Sequence, residues 1–178
     1  MFIRAMHSDD EKPVKRLVMK YLKETYDAGG DFPPTLENAA GFTQYAIEGA
    51  EAGDPCLVAD EGGKIIGFVT ARGVFFPGMT TRHKTVRSWG TFVLPEWRSK
   101  GIAVQLFIVA GRVARLAGYT RFLGMTHGSE YEAHALGVVD RIPGMQEVGK
   151  VLMMDLTRKA RSAPAPEAKR LDEPVAIV

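Results

Sequence analysis

The hydrophobic positions change period along the chain, and the changes mark its elements. Residues 2–6, FIRAM, are short and apolar-rich and predict a strand. A helical spacing follows, with Val14, Leu17, Val18, Tyr21 and Leu22 on one face. Ser8 is expected to open that helix, with Glu11 three residues on as its capping-box partner and Asp9 and Asp10 at the positive end. Gly29-Gly30 and Pro33-Pro34 break the pattern. A second helix is expected over about 35–50, carrying Leu36, Ala39, Ala40, Tyr45 and Ile47, and Gly53-Asp54-Pro55 ends it. Cys56–Ala59 and Lys64–Phe76 then read as strands joined by the Asp60-Glu61-Gly62-Gly63 turn. Residues 82–94 predict another strand, stopped by Pro95, which cannot donate to a ladder. Residues 101–117 predict a helix, with Ala103, Leu106, Phe107, Ala110, Val113, Ala114 and Ala117 on one broad face and Gly118 at its end. Residues 121–126 predict a strand, 129–139 a short helix and 150–156 a last strand. The order β-α-α-β-β-β-α-β-α-β indicates a mixed α/β domain over 1–156. Residues 157–178, rich in Ala, Pro and charge, cannot bury a core and read as a tail or arm.

Composition narrows the class. The chain has 178 residues, 46% of them hydrophobic and 25% charged, which suits one globular domain. Its 23 basic and 21 acidic residues leave +2, which argues against a nucleic-acid binder driven by bulk charge. Cys56 is the only cysteine, so no internal disulfide or cysteine-based metal cluster can form, and a small buried hydrophobe is the expectation for it. No apolar run approaches the roughly 18 residues of a membrane span, and MFIRAMHSDD lacks the apolar stretch of a secretory signal. The expected location is the cytoplasm.

The chemistry gathers in Arg98-Ser99-Lys100-Gly101-Ile102-Ala103, between a strand and a helix. First-turn amides of a helix lack internal partners, point outward and carry partial positive charge, so anions bind there. Gly101 and Ala103 let a ligand approach the backbone, and Arg98 and Lys100 add charge. The spacing is neither a Walker loop nor a dinucleotide fingerprint, and a solvated loop is the plain alternative to a diphosphate cradle.

Residues 91–103, TFVLPEWRSKGIA, resemble the acetyl-CoA-binding core of the GNAT family of N-acetyltransferases. That family shows R/Q-x-x-G-x-G/A opening a long helix, and Arg98, Gly101 and Ala103 stand at those positions. The resemblance implies an acyl-CoA N-acyltransferase fold in which strand 82–94 splays from strand 121–126. It implies acetyl-CoA as co-substrate, its pantetheine arm bonded to backbone groups of Phe92, Val93 and Leu94, and its diphosphate held by Ser99, Lys100, Gly101, Ile102 and Ala103 with Arg98. The reaction would be direct attack of an amine on the thioester, with backbone amide donation to the thioester oxygen. No metal is implied.

Two departures from the family pattern stand out. Residues 82–94 hold no Asp or Glu where a general base is often placed, and Glu96 falls beyond Pro95. Aligning Ala133 and Leu136 on the family's tyrosine segment, with Gly144-Met145 as its Gly-Phe pair, puts Gly137 where the acid would stand. His127, Tyr131 and His134 are the substitute candidates, against the plain reading of surface residues; His7 and His83 have no assigned role. Arg72, Arg82, Lys84 and Arg87 read as a solvated strand face or as an attraction for phosphates. Trp89 reads as core, Trp97 as a contact surface in a loop, and Met125, Met153 and Met154 as core filler. Asp31-Phe32-Pro33-Pro34 is either an interhelical turn or, by the resemblance, part of the acceptor pocket. Two functions therefore fit: acetyl transfer to an unidentified amine, or a GNAT-fold module without catalysis whose tail docks it in a homo-oligomer or larger assembly.

Overall fold

The computed structural model describes residues 1–74, 84–124 and 141. The chain divides into two units, Met1–Gln146 and Glu147–Val178, and every described residue belongs to the first. Strand β1 (Phe2–Ala5) leads through a 3₁₀ turn at Ser8–Asp10 into α1 (Glu11–Asp27), then α2 (Leu36–Glu51). Strands β2 (Leu57–Glu61), β3 (Lys64–Val74) and β4 (Thr85–Val93) follow, then α3 (Ile102–Leu116) and β5 (Arg121–Leu123). The helix expected over 129–139, the strand over 150–156 and the tail lie outside the described residues, as do His83, His127, Tyr131 and His134.

The five strands stand in sequence order in one sheet. Pairing is antiparallel from β1 to β4, and β5 runs parallel to β4 after the α3 crossover. Side chains alternate between the two faces of a strand. Phe68 and Phe92 are opposite each other, with ring centroids 6.2 Å apart, and Tyr21 of α1 and Phe42 of α2 close over them. The other face carries Ala71 and Val86 against Ala114 of α3. Helices therefore cover both faces, and the two short-range periods of the sequence meet in one core.

Most helical faces follow the spacing. Val14, Leu17, Val18 and Leu22 of α1 are buried. In α3 the buried line is Ile102, Leu106, Ala110 and Ala114, a stripe at four-residue spacing narrower than the broad face expected. In α2, Ala39 and Ile47 are buried, joined by Thr43, Ala46 and Gly49, but Leu36 and Ala40 are exposed. Thr35 caps α2 by accepting from the Asn38 amide at 3.1 Å.

The expected Ser8–Glu11 capping box is replaced by a different device. Ser8 opens only a single 3₁₀ turn, and Glu11 reaches Lys15 on the helix surface. Asp10 does the work instead, accepting from the His7 amide at 2.9 Å and from two nitrogens of Arg4 at 2.6 and 2.8 Å. Arg4 also meets Asp60 of β2 at 3.0 Å, so one guanidinium ties β1, β2 and the entry to α1. Local spacing could not show this, because Asp60 is distant in sequence.

The Arg4 guanidinium beside Asp10 holds that buried carboxyl below the usual carboxylate range. A depressed folded value stabilises the protein above the ordinary Asp pKa of about 3.9 and is lost as pH falls through the folded value. Asp10→Asn is expected to cost about 2 kcal/mol at pH 7, less than a fully buried pair because Arg4 is part-exposed. Urea denaturation from pH 7 to pH 3 checks it: the gap between the variant and the parent should narrow below about pH 4. A gap independent of pH would remove the ion pair from the account.

Candidate functional site

The loop after β4 is built by backbone conformation. Pro95–Trp97 make a 3₁₀ turn, then Ser99 (φ 64°) and Gly101 (φ 74°) are both left-handed, on either side of Lys100. Glycine suits that conformation, and a Cβ at 101 would meet nothing within 4 Å, so the approach to the backbone is open. Helix α3 starts at Ile102 with no capping side chain. The amides of Ile102, Ala103 and Val104 thus lack an intrahelical acceptor.

Two cations flank this terminus, and both rest on protein groups. Arg98 pairs with both carboxylate oxygens of Glu24 on α1, at 2.7 and 2.9 Å, and donates from Nε to the Val93 carbonyl at 3.0 Å. Its guanidinium straps the loop to α1 and to the end of β4. The Lys100 ammonium lies 4.2 Å from the centre of the Trp97 ring, and Trp97 is partly buried against the core. Nothing in the local sequence pointed to Glu24.

Beside the loop, β4 is paired on one side only. Strand β5 joins it at Thr85, Val86 and Arg87, and from Ser88 to Val93 no strand covers that edge among the described residues. Among the described residues that uncovered edge leaves a gap beside β4. The Leu94 amide donates to the Ile66 carbonyl at 2.9 Å, which sets the parity of the β3–β4 ladder. Phe92 therefore turns its main-chain groups toward β3, while Thr91 and Val93 turn theirs toward the open edge. Of the three strand residues singled out in the sequence, Val93 presents its amide to the gap. Thr91, which the sequence did not single out, has a buried hydroxyl with no partner among the described residues. An orphaned buried hydroxyl on the strand with the uncovered edge fits a polar arm entering the gap.

At the closed end of the gap β4 bulges. The register shifts between Thr70 and Ala71 of β3, leaving Trp89 as the extra residue. The bulge turns Trp89 and Gly90 toward α1 and α2 together. A Cβ on Gly90 would stand 2.9 Å from Phe42 Cζ and 3.2 Å from the Tyr21 ring, so glycine admits both rings there. The Tyr21 hydroxyl donates to the Trp89 carbonyl at 3.3 Å. Trp89 is not the core residue expected: the residue is 43% exposed, with its ring edge-on to Tyr45 at 6.1 Å. Near it, Asp54 accepts from the Tyr119 hydroxyl at 2.6 Å and pairs with Arg72 at 3.4 Å. Burial and that acceptor push the Tyr119 phenol up to about 12.

Cys56 is buried with its thiol on the Ala71 carbonyl, and burial pushes it up to about 11, so it stays a neutral hydrophobe as expected. Phe32, in the turn between α1 and α2, is 68% exposed. No group of three or more acidic, histidine or cysteine side chains suited to a metal occurs among the described residues. No described helix is long and apolar enough to cross a membrane.

Fold and site together define a mixed α/β domain with an uncapped strand–loop–helix junction next to a β4 edge that is uncovered among the described residues. The chain belongs to the acetyltransferase (GNAT) family, whose model matches residues 17–138. Comparison with curated proteins gave no match. Among solved structures it is similar to the aminoglycoside N-acetyltransferase AAC(6')-Iy in complex with CoA, at 20% identity and TM-score 0.65, over 89% of this chain and 94% of that one. It is similar to the aminoglycoside 6'-N-acetyltransferase AAC(6')-IG from Acinetobacter haemolyticus, at 20% identity and TM-score 0.63, over 89% of this chain and 100% of that one. A ribosomal-protein-alanine N-acetyltransferase from Brucella melitensis is also similar, at 17% identity and TM-score 0.60, over 86% of this chain and 98% of that one.

Proposed function

We propose that this chain is an acetyl-CoA-dependent N-acetyltransferase. The observation that carries the reading is the uncapped start of α3 following a β4 edge that no strand covers among the described residues. A diphosphate suits the first and a polar extended arm suits the second. Family membership supports the same assignment, and the similar structures are of proteins described as acetylating an aminoglycoside or a ribosomal-protein alanine, both amines.

Bound acetyl-CoA would supply an acetyl group activated as a thioester. Ser99, Lys100, Gly101, Ile102 and Ala103 would hold its diphosphate, while Val93 and Thr91 would receive its arm. Arg98 serves by holding the loop to α1 and β4, since its Nε is bonded to the Val93 carbonyl and its Nη2 to Glu24. From Val93 back to Arg87 is six residues, about 20 Å of strand, so the bulge at Trp89 lies at the inner end of the gap. An acceptor amine would approach there, losing a proton as its nitrogen bonds the acetyl carbon and the sulfur leaves as thiol. No carboxylate lies on β4 to take that proton, and His127, Tyr131 and His134 are the candidates for it.

Calorimetry with acetyl-CoA, followed by thiol release over a broad amine panel, tests the proposal. Micromolar binding and turnover of one amine class are the expected result. Absence of binding at millimolar ligand would sink it, and binding without any turnover would favour a module without catalysis.

A further inference from the structure

Two arginines stand directly opposite each other where β3 and β4 pair, Arg72 and Arg87. Like charges in that relation repel. Among the described residues only Arg72 has a carboxylate partner. Arg72 reaches Asp54 at 3.4 Å and the Tyr45 carbonyl at 3.2 Å. Arg87 meets no carboxylate among the described residues, and its Nε is buried with no acceptor. A buried guanidinium nitrogen left unbonded costs free energy that an incoming acceptor would recover.

The surroundings show what such an acceptor would be attached to. The bulge aims Trp89 outward, and the Arg87 guanidinium lies 4.4 Å from the centre of its ring. Tyr45 of α2 stands edge-on to Trp89, and Arg72 lies 4.2 Å over Tyr45. Arg72, Tyr45, Trp89 and Arg87 thus stand in a row beside the inner end of the gap, two neighbouring rings with a cation at each end. Burial pushes the Tyr45 phenol up, so it stays a neutral donor at pH 7. The surface repels a polycation and offers one guanidinium whose Nε has no acceptor among the described residues, which suits a carboxylate or phosphate.

We infer that the acceptor is a small amine that also carries an oxyanion, and that Arg87 receives the oxyanion while Trp89 and Tyr45 shelter the carbon skeleton. This rests on the acetyl-transfer reading above. Arg87 is a specificity residue here, acting on the part of the acceptor that does not react.

The test uses the full chain with acetyl-CoA and four amines: L-methionine (carboxylate), O-phosphoethanolamine (phosphate), ethanolamine (neither) and spermidine (polycation). Thiol release should favour one of the first two over ethanolamine by at least about 30-fold in kcat/KM, and which one identifies the oxyanion. Arg87→Met should lower that preferred kcat/KM by about 100-fold, mainly through KM, and leave ethanolamine unchanged; Arg87→Lys should restore part. Binding is read separately in Trp97→Phe, where Trp89 is the sole tryptophan of the two in the chain. Its emission should respond to the preferred oxyanion ligand, and Arg87→Met should abolish the response. Spermidine used as well as the anionic amines, equal losses for every amine in Arg87→Met, or no emission response to either anionic ligand would overturn the inference. Failure to bind acetyl-CoA at all would instead bring down the acetyl-transfer reading beneath it.

Discussion

Gly101→Asp should weaken acetyl-CoA binding by about 100-fold or more while leaving the fold in place. Gly101 sits at φ 74° with open space where a Cβ would point. A non-glycine residue there costs about 1 kcal/mol of backbone strain, and Asp tolerates the left-handed region better than most. Its carboxylate would lie at the start of α3, among the amides that no side chain now caps. Asp is a favoured N-cap, so its own oxygen can take up those donors and partly offset the strain. The same charge would repel a diphosphate, and the two effects point one way for binding and opposite ways for stability. Calorimetry with acetyl-CoA and a thermal melt separate them. Gly101→Ala carries the strain without the charge and should lose less than tenfold in affinity. An affinity in Gly101→Asp within threefold of the parent would show that the diphosphate is held elsewhere.

Phe68→Ala should cost about 3–5 kcal/mol, a large share of the 5–15 kcal/mol typical of a domain. Phe68 is fully buried, and its ring lies 5.8 Å from Tyr21, 6.0 Å from Phe42 and 6.2 Å from Phe92. It is the point where α1, α2, β3 and β4 meet. Truncation leaves a cavity and loses the tilted ring contacts as well as transfer free energy. The damage should spread to the bulge, because the Tyr21 hydroxyl is bonded to the Trp89 carbonyl. Urea denaturation at pH 7 gives the stability loss. Phe68→Leu, which keeps most of the volume, should cost less than half as much. A loss below 1 kcal/mol in Phe68→Ala would mean that the aromatic cluster is not the keystone described.

Much of the element order was legible because it depends on short-range rules. The periods of α1 and α3, the Gly62-Gly63 turn and the stop at Pro95 each act within a few residues. The junction at 98–103 was legible for the same reason, since an uncapped helix start with glycine before it is a local property. The side chains that finish the site were not. Arg98 carried a diphosphate role by its place in the motif, yet its partner Glu24 is 74 residues away. Trp89 read as core because alternation assigns faces strictly by twos, and one bulged residue breaks that count.

Local chemistry along the chain was therefore enough to set the strands and helices over the described residues, their order and the uncapped loop before α3. Hydrophobic period, turn residues and helix-terminal amides all operate over one or two turns of chain. Long-range packing settled which residues face the gap, that Arg4 rather than Ser8 organises the start of α1, and that among the described residues Arg72 has a carboxylate partner while Arg87 has none. Those outcomes depend on register between strands and on pairs separated by tens of residues, and no local pattern encodes which of two opposed arginines will find a carboxylate.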